Sequence, residues 1–342
     1  DYSSLVPPER DFPLSAFRGR QDAASRAIGY GNAAMVFHLV RRSIGDEAFF
    51  AALRRLAAER MYASASWDDF ARAFSRASGK DLAPLFTGLV NGTGGIELAL
   101  QDVRRTKEGD AWVVSGKLRQ ETLEYPVPVV LELAGGVERR LVEAKKGSTP
   151  FSFRTVAEPK GLAMDPDSDI FRRLAPEELP PTVNRVKGSR NLLVVRCGSY
   201  PGDEATTSLL LQSLGIGAAR VVAETEVGRD DLKGTDLLFL GLPRPELFSP
   251  SFPAGFGAGR ARFSAEGKEY EDASSLLFAV APHPLEPARV AGIFLPLSAE
   301  AGRKGVLKIA HYGKYGYLVF SGGTNVAKGG FPAAAGRSVV RF

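Results

Sequence analysis

The period of the hydrophobic pattern changes at residues 91–100, which read Asn91-Gly92-Thr93-Gly94-Gly95-Ile96-Glu97-Leu98-Ala99-Leu100. Upstream of this stretch, apolar residues recur every three or four positions, as they do on the buried face of a helix. From Ile96 onward they alternate with polar residues, which is typical of half-buried strands. The glycine-rich turn therefore separates a helical segment, residues 1–92, from a β segment, residues 93–175.

Four helices are predicted upstream of the turn, and each begins or ends at a residue that suits a helix end. Gly45 stops the first helix and Asp46 is the expected N-cap of the second. Ser66 and Asp69 form a capping-box pattern for the third helix. The predicted helices are 33–44, 47–60, 67–78, which is ended by Gly79, and 82–89, which is capped by Asp81. Their short connections favour an antiparallel bundle.

The β segment contains short alternating runs separated by turn residues at hairpin spacing. These runs predict a small antiparallel β-sandwich. The acidic stretch Asp165-Pro166-Asp167-Ser168-Asp169 closes the segment, and it lacks the glycine and the terminal glutamate of a calcium loop, so we expect an Asx-rich turn. The predicted strands are 96–100, 112–118, 127–133, 137–144 and 150–155.

A proline-containing linker at 175–182 leads into a third pattern, in which buried strands alternate with helices. This alternation predicts an α/β domain over residues 183–342. Two of its runs, 276–280 and 290–295, lie too close together for a crossover helix and should be antiparallel. The fold class predicted for the whole chain is multidomain α+β: a helical bundle, a small antiparallel β-sandwich and an α/β domain.

Composition excludes several classes of protein. The chain has 342 residues, of which 44% are hydrophobic and 24% charged, as in an ordinary folded globular protein. Its net charge of +5 is spread along the chain, and no element gathers basic residues with aromatic ones, so we expect no nucleic-acid partner. No apolar run approaches the length of a membrane span, and the single cysteine excludes an internal disulfide.

Local motifs for metal, cofactor or serine chemistry are not found. His38 lies in an apolar helix and is expected to be a packed, hydrogen-bonded side chain, while His283 and His311 are expected in surface loops. None of the three has a second ligand at zinc spacing, so no metal site is predicted in this chain. The loops Cys197–Gly202 and Ser321–Asn325 follow strands but match no phosphate-binding fingerprint, so we interpret them as turns and expect no bound cofactor.

Three stretches together resemble a known family. They are IGYGNAAMVFHL at 28–39, IGDEAFF at 44–50 and SWDDF at 66–70. Their order and spacing, over roughly residues 25–95, resemble the aminopeptidase N family of gluzincin zinc metallopeptidases. In that family a tyrosine precedes a small-residue helix start, a Leu-Gly-x-x-x-Phe turn and a further helix follow, and another helix starts with Trp and Asp. A small β-sandwich comes next, as it does here.

The resemblance implies one catalytic residue in this chain. It is Tyr30, whose phenol would donate to the oxyanion formed at the scissile carbonyl. The family's zinc ligands, an H-E-x-x-H helix and a downstream glutamate, lie upstream of the matching tyrosine. The resemblance therefore predicts the C-terminal portion of a zinc-dependent aminopeptidase-like protein, inactive without its N-terminal catalytic part, whose parent removes N-terminal residues from peptide substrates. The alternative is a non-enzymatic binding or scaffolding module that shares only the helix pattern.

Overall fold

The computed structural model describes residues 1–122, 124–249, 252–333 and 336–342. Within these residues the chain forms two compact units. The first contains Val6–Leu174 together with the C-terminal strand, and the second contains residues 175–333. A helical region, several antiparallel sheets and one larger mixed sheet confirm the predicted α+β class.

The helices begin and end close to the residues that the sequence indicates. A φ of +80° at Gly45 breaks the long helix α3 into the two predicted parts. Ser66 and Asp69 form the expected reciprocal capping box, and Gly79 ends α4 in the left-handed conformation. The helices of the described chain are α1 (Tyr2–Leu5), α2 (Ala23–Arg26), α3 (Ala33–Arg60), α4 (Trp67–Ser78), α5 (Ala83–Asn91), α6 (Val183–Lys187), α7 (Glu204–Leu214) and α8 (Ala299–Gly305).

Most predicted runs are extended by one to three residues, but β1 begins at Leu98, two residues later than predicted, and continues to Glu108. The structure also includes several strands that the pattern did not indicate. In the first unit they are β1 (Leu98–Glu108), β2 (Ala111–Gln120), β3 (Tyr125–Leu133), β4 (Gly136–Ala144), β5 (Gly147–Thr155) and β6 (Pro159–Met164). In the second unit they are β7 (Leu192–Arg196), β8 (Arg220–Ala223), β9 (Asp236–Leu240), β10 (Gly257–Ala258), β11 (Phe263–Ala265), β12 (Lys268–Tyr270), β13 (Ser275–Pro282), β14 (Val290–Pro296), β15 (Tyr317–Ser321) and β16 (Thr324–Gly329). The last strand of the chain is β17 (Val339–Arg341).

The first unit pairs its strands in two antiparallel sheets, as predicted for a sandwich. One sheet has the order β1-β2-β5 and the other β17-β6-β3-β4. Side chains of α3, α4 and α5 share a single hydrophobic cluster with both sheets. Strand β17 pairs with β6, so the C-terminus completes the sandwich, although the sequence pattern places residues 183–342 in the α/β domain. The two strands are far apart in the chain, so their pairing leaves no local pattern in the sequence.

The second unit is built on a seven-stranded sheet with the order β16-β15-β13-β14-β9-β7-β8. Strands β7, β8, β9 and β14 run parallel to one another. The pairs β14–β13, β13–β15 and β15–β16 are antiparallel. Apolar side chains of α6, α7 and the 3-10 segment Val306–Tyr312 cover one face. The other face packs against Leu247, Phe248 and the small sheet β10-β11-β12.

The predicted antiparallel pair β13 and β14 is confirmed, and its connection depends on a buried histidine. His283 is 1% exposed, which corrects its expected surface position. Its Nδ1 accepts the backbone N–H groups of Leu285 and Glu286 at 3.1 Å, and its Nε2 lies 3.2 Å from the carbonyl oxygen of Leu232. Because Nδ1 accepts, Nε2 carries the proton of a neutral ring.

Acid is expected to weaken this connection. Burial lowers the pKa of His283, so the unfolded chain takes up a proton at a higher pH than the folded chain does. The free energy of unfolding should therefore fall as the pH drops from about 7 toward 5. Urea unfolding across this range should show a smaller fall in His283→Asn than in the wild type. The control His311→Asn, at an exposed histidine, should keep the wild-type slope. Equal slopes in all three proteins would contradict the assignment.

Candidate functional site

Tyr30 lies on a π-helical turn, Ala27–Asn32, that joins α2 to α3. Asp22 and Ser25 form a capping box that starts α2 just upstream. Ile28 is fully buried, whereas the Tyr30 side chain is 61% exposed. Its hydroxyl has no hydrogen-bond partner within the described ranges. A phenol in this position can donate a proton or a hydrogen bond to a ligand, and π-helical turns are frequent at functional sites.

The route of the backbone through this turn differs from the sequence expectation. Asn is a residue type favoured at N-caps, and a cap at Asn32 would leave Tyr30 just outside the helix. The φ and ψ of Asn32, −65° and −41°, are helical, and its side chain is buried. The helical backbone is therefore continuous through Tyr30. The π turn is wider than an α-helical turn and accommodates one more residue, so the helix does not begin anew at Asn32.

Gly29 allows a neighbouring ring to pack beneath Tyr30. A Cβ at Gly29 would overlap the Phe17 ring, whereas a Cβ at Gly31 would meet no atom within 4 Å. The Phe17 ring meets the Tyr30 ring edge-on, with centroids 5.9 Å apart. The Phe17 ring thus occupies the space over Gly29 and supports one edge of the exposed phenol.

Helix α3 is held to the sandwich by polar contacts as well as by the shared core. The Asp169 carboxylate lies 2.8 Å from Nε2 of His38 and 3.2 Å from the guanidinium of Arg42, one turn further along α3. Burial raises the pKa of Tyr125 to about 12, and its hydroxyl donates to the carbonyl oxygen of Leu39 at 3.2 Å. His38 is therefore a hydrogen-bonded structural side chain, as predicted.

The acidic stretch at 165–169 forms the expected Asx-rich turn. Oδ1 of Asp165 accepts the N–H groups of Asp169 and Ile170, and Oδ2 accepts from the buried guanidinium of Arg172 at 3.2 Å. Burial raises the pKa of Asp165 to about 6 against the opposing charge of Arg172. In the described parts of the chain, no three or more His, Cys, Asp or Glu side chains come together in a group that could hold a metal ion.

Ligands of open α/β sheets bind at the carboxyl ends of the parallel strands. The structure fills this place with protein groups. Glu224 is 6% exposed, and its carboxylate accepts the backbone N–H groups of Gly198 and Arg244. A Cβ at Gly241 would lie 2.8 Å from Oγ of Ser199, so the loops after β7 and β9 are in close contact.

This arrangement disfavours both phosphate binding and thiol chemistry at the strand ends. A buried carboxylate occupies the N–H group that a phosphate would require. Burial and the neighbouring Glu224 raise the pKa of the Cys197 thiol, which keeps it protonated. Gly322 and Gly323 both have positive φ in the turn between β15 and β16, as expected for turn residues. Glu224 and Arg244 carried no sequence signal, because their partner loops are far apart in the chain.

Comparison with known proteins gives little further information. No protein-family profile matches the chain, and no curated protein matches it. A crystal structure of Legionella pneumophila aminopeptidase A in complex with aspartic acid is similar to 51% of this chain at 17% sequence identity, with a TM-score of 0.34. The match spans 21% of that protein, about a fifth of its length.

One further finding concerns membranes. None of the helices in the described ranges has both the length and the apolar character that a membrane crossing requires.

The packing at Gly29 can be tested with a matched pair of variants. Gly29→Ala should lower the free energy of unfolding by about 1–3 kcal/mol, because the added methyl group displaces the Phe17 ring. Gly31→Ala adds the same group into open space and should change stability by less than about 1 kcal/mol, in the stabilising direction. Urea unfolding of both variants measures the difference. Equal losses would show that Phe17 does not pack over Gly29.

Proposed function

We propose that this chain is the C-terminal portion of a zinc-dependent aminopeptidase-like protein. In this proposal Tyr30 faces the reaction site and donates a hydrogen bond to the oxyanion that forms at the scissile carbonyl of a peptide substrate. The parent protein removes N-terminal residues from peptides. The chain alone is inactive, because it lacks the N-terminal catalytic part that completes the site.

The exposure of Tyr30 is the observation that carries this proposal. A tyrosine whose role is to pack would bury its ring, as Tyr125 does at 9% exposure. Tyr30 is 61% exposed on a turn whose other side chains Ile28 and Asn32 are buried. The backbone is thus fixed while the phenol points outward with its hydroxyl free for a ligand. The order of a helical region followed by a small β-sandwich also agrees with the family resemblance.

The described residues do not fit a zinc site. His38 and His283 lie in different compact units, and each is engaged in hydrogen bonds of its own. The exposed His311 has no cluster of acidic or cysteine ligands around it in the described residues. Zinc ligands would therefore come from the part of the parent protein outside this chain, and no catalytic step is assigned to a metal held here.

One observation favours the alternative of a non-enzymatic binding module. The second unit carries four lysines, Lys187, Lys308, Lys314 and Lys328, that form no ion pair with a carboxylate among the described residues. These lysines and the Tyr30 site lie on different units, so a binding function of the second unit is compatible with the proposed peptidase.

The proposal predicts an inactive isolated chain. Purified residues 1–342 should hold no stoichiometric zinc by elemental analysis and should release no amino acid from aminoacyl reporter substrates, because the described residues offer no ligand set. One tightly bound zinc per chain, together with hydrolysis that a chelator abolishes, would refute this part of the proposal.

In the intact parent protein, Tyr30→Phe should lower kcat by about 10²–10³, the usual effect of losing one oxyanion donor. The KM and the melting temperature should stay nearly unchanged, because the hydroxyl makes no hydrogen bond to the described residues of this chain. Tyr62→Phe is the matched control, since Tyr62 is also exposed and belongs to the same unit. A purely structural Tyr30 would give the reverse result: a lower melting temperature with the same rate per folded molecule.

A further inference from the structure

The C-terminal part of the sequence is basic without compensation. Residues 301–342 contain seven Lys and Arg residues and no Asp or Glu, although the whole chain carries a net charge of only +5. The expectation that the positive charge is spread along the chain is therefore wrong for this segment. Its stretch 311–317, HYGKYGY, also places basic residues among tyrosines.

The fold gathers much of this charge on one surface of the second unit. We call it the lysine surface and define it by Lys187, Lys308, Lys314, Lys328, Tyr312 and Tyr315. The Lys328 ammonium lies 4.9 Å from the ring centroid of Tyr312 and 5.5 Å from that of Tyr315. The Lys314 ammonium lies 5.5 Å from the Tyr315 ring. The two rings, 6.1 Å apart, thus bring two cations close together.

The cations of the lysine surface have no anionic partner among the residues that the structure describes. Lys308 donates to the carbonyl oxygen of Gly323, and Nζ of the half-buried Lys187 lies 3.5 Å from the carbonyl oxygen of Ala310. Burial lowers the pKa of Lys187, with no acidic group opposing the shift. In the described residues, no carboxylate comes within 4.0 Å of the four ammonium groups, whereas nearby Lys304 pairs with Glu300 at 2.6 Å. A half-buried cation of this kind gains from an external anion.

An open sheet edge lies beside these cations. Strand β16 forms the end of the seven-stranded sheet and pairs only with β15 within the described ranges. Its exposed side chains alternate, and they include Val326 at 51% exposure and Lys328. The Asn325 amide donates to the carbonyl oxygens of Val319 and Ala327 and fixes the strand at its register shift. The free backbone groups of an ordered edge can pair with an extended peptide.

We propose that the lysine surface and the edge of β16 bind an extended acidic segment of a partner protein. The segment adds a strand along β16 and places its carboxylates against Lys314 and Lys328. The charge of the surface requires an anionic partner, and the open edge selects a peptide backbone. A single-stranded nucleic acid fits less well, because the lysine ammonium groups lie over the tyrosine rings on which bases would stack.

Fluorescence anisotropy with the full chain tests this proposal. The probe is a short labelled peptide of alternating glutamate and valine. Lys314→Glu combined with Lys328→Glu should weaken its binding at least about tenfold. The control is Lys145→Glu combined with Lys146→Glu, which makes the same charge change at exposed positions of the first unit and should leave affinity unchanged. If the charge-reversed protein does not fold, the corresponding double glutamine variant takes its place.

Two further arms separate peptide pairing from general attraction to anions. The same peptide with alternate backbone amides N-methylated keeps its charge but cannot pair with a strand, and it should bind at least about tenfold more weakly. Oligothymidylate tests the nucleic-acid alternative. The proposal is overturned by equal binding of the peptide to both charge variants, by equal binding of the methylated and unmethylated peptides, or by tighter binding of the oligonucleotide than of the peptide.

Discussion

The Asp169 carboxylate connects the helical and β parts of the first unit. It binds His38 and Arg42 on one face of α3, and Tyr125 of β3 donates to the backbone of the same helix at Leu39. These contacts join the two parts at the border of their shared core. Because α3 continues directly from the π-helical turn, fixing α3 also fixes the backbone that carries Tyr30. An exposed side chain on a fixed backbone is the arrangement that an oxyanion donor requires, since its direction must be set before the substrate arrives.

The same reasoning explains why the turn tolerates an exposed aromatic ring. Ile28 fills the core and Phe17 packs over Gly29, so stability does not depend on burying the phenol. An exposed tyrosine gains little from its own burial. The exposed phenol is therefore available for contact with a group outside the described residues. The proposed oxyanion role would use such a contact.

Local features of the fold were predictable from the sequence, and long-range ones were not. The capping box at Ser66 and Asp69 and the break at Gly45 depend on neighbours within four residues, so their patterns gave the helix ends directly. Strand β17 and the Asp169 contacts to His38 depend on residues more than a hundred positions away, and no period reports such pairing. The cap predicted at Asn32 is wrong because a π-helical turn keeps the backbone helical through that residue.

The candidate sites also divide into those that a local sequence pattern indicates and those that depend on residues far apart in the chain. Tyr30 could be singled out because the surrounding residues resemble a family, and its exposure came only from the structure. The buried Glu224 contacts a loop that is distant in the sequence, so no local pattern indicates its role. The lysine surface also combines residues that are far apart in the chain, and the average composition of the chain conceals its local excess of positive charge.

The most direct test of the central claim is to read the coding sequence upstream of Asp1. If this chain is the C-terminal portion of a zinc aminopeptidase-like protein, an open frame upstream should encode His-Glu-x-x-His followed by a downstream glutamate. An upstream frame without that motif would contradict this proposal.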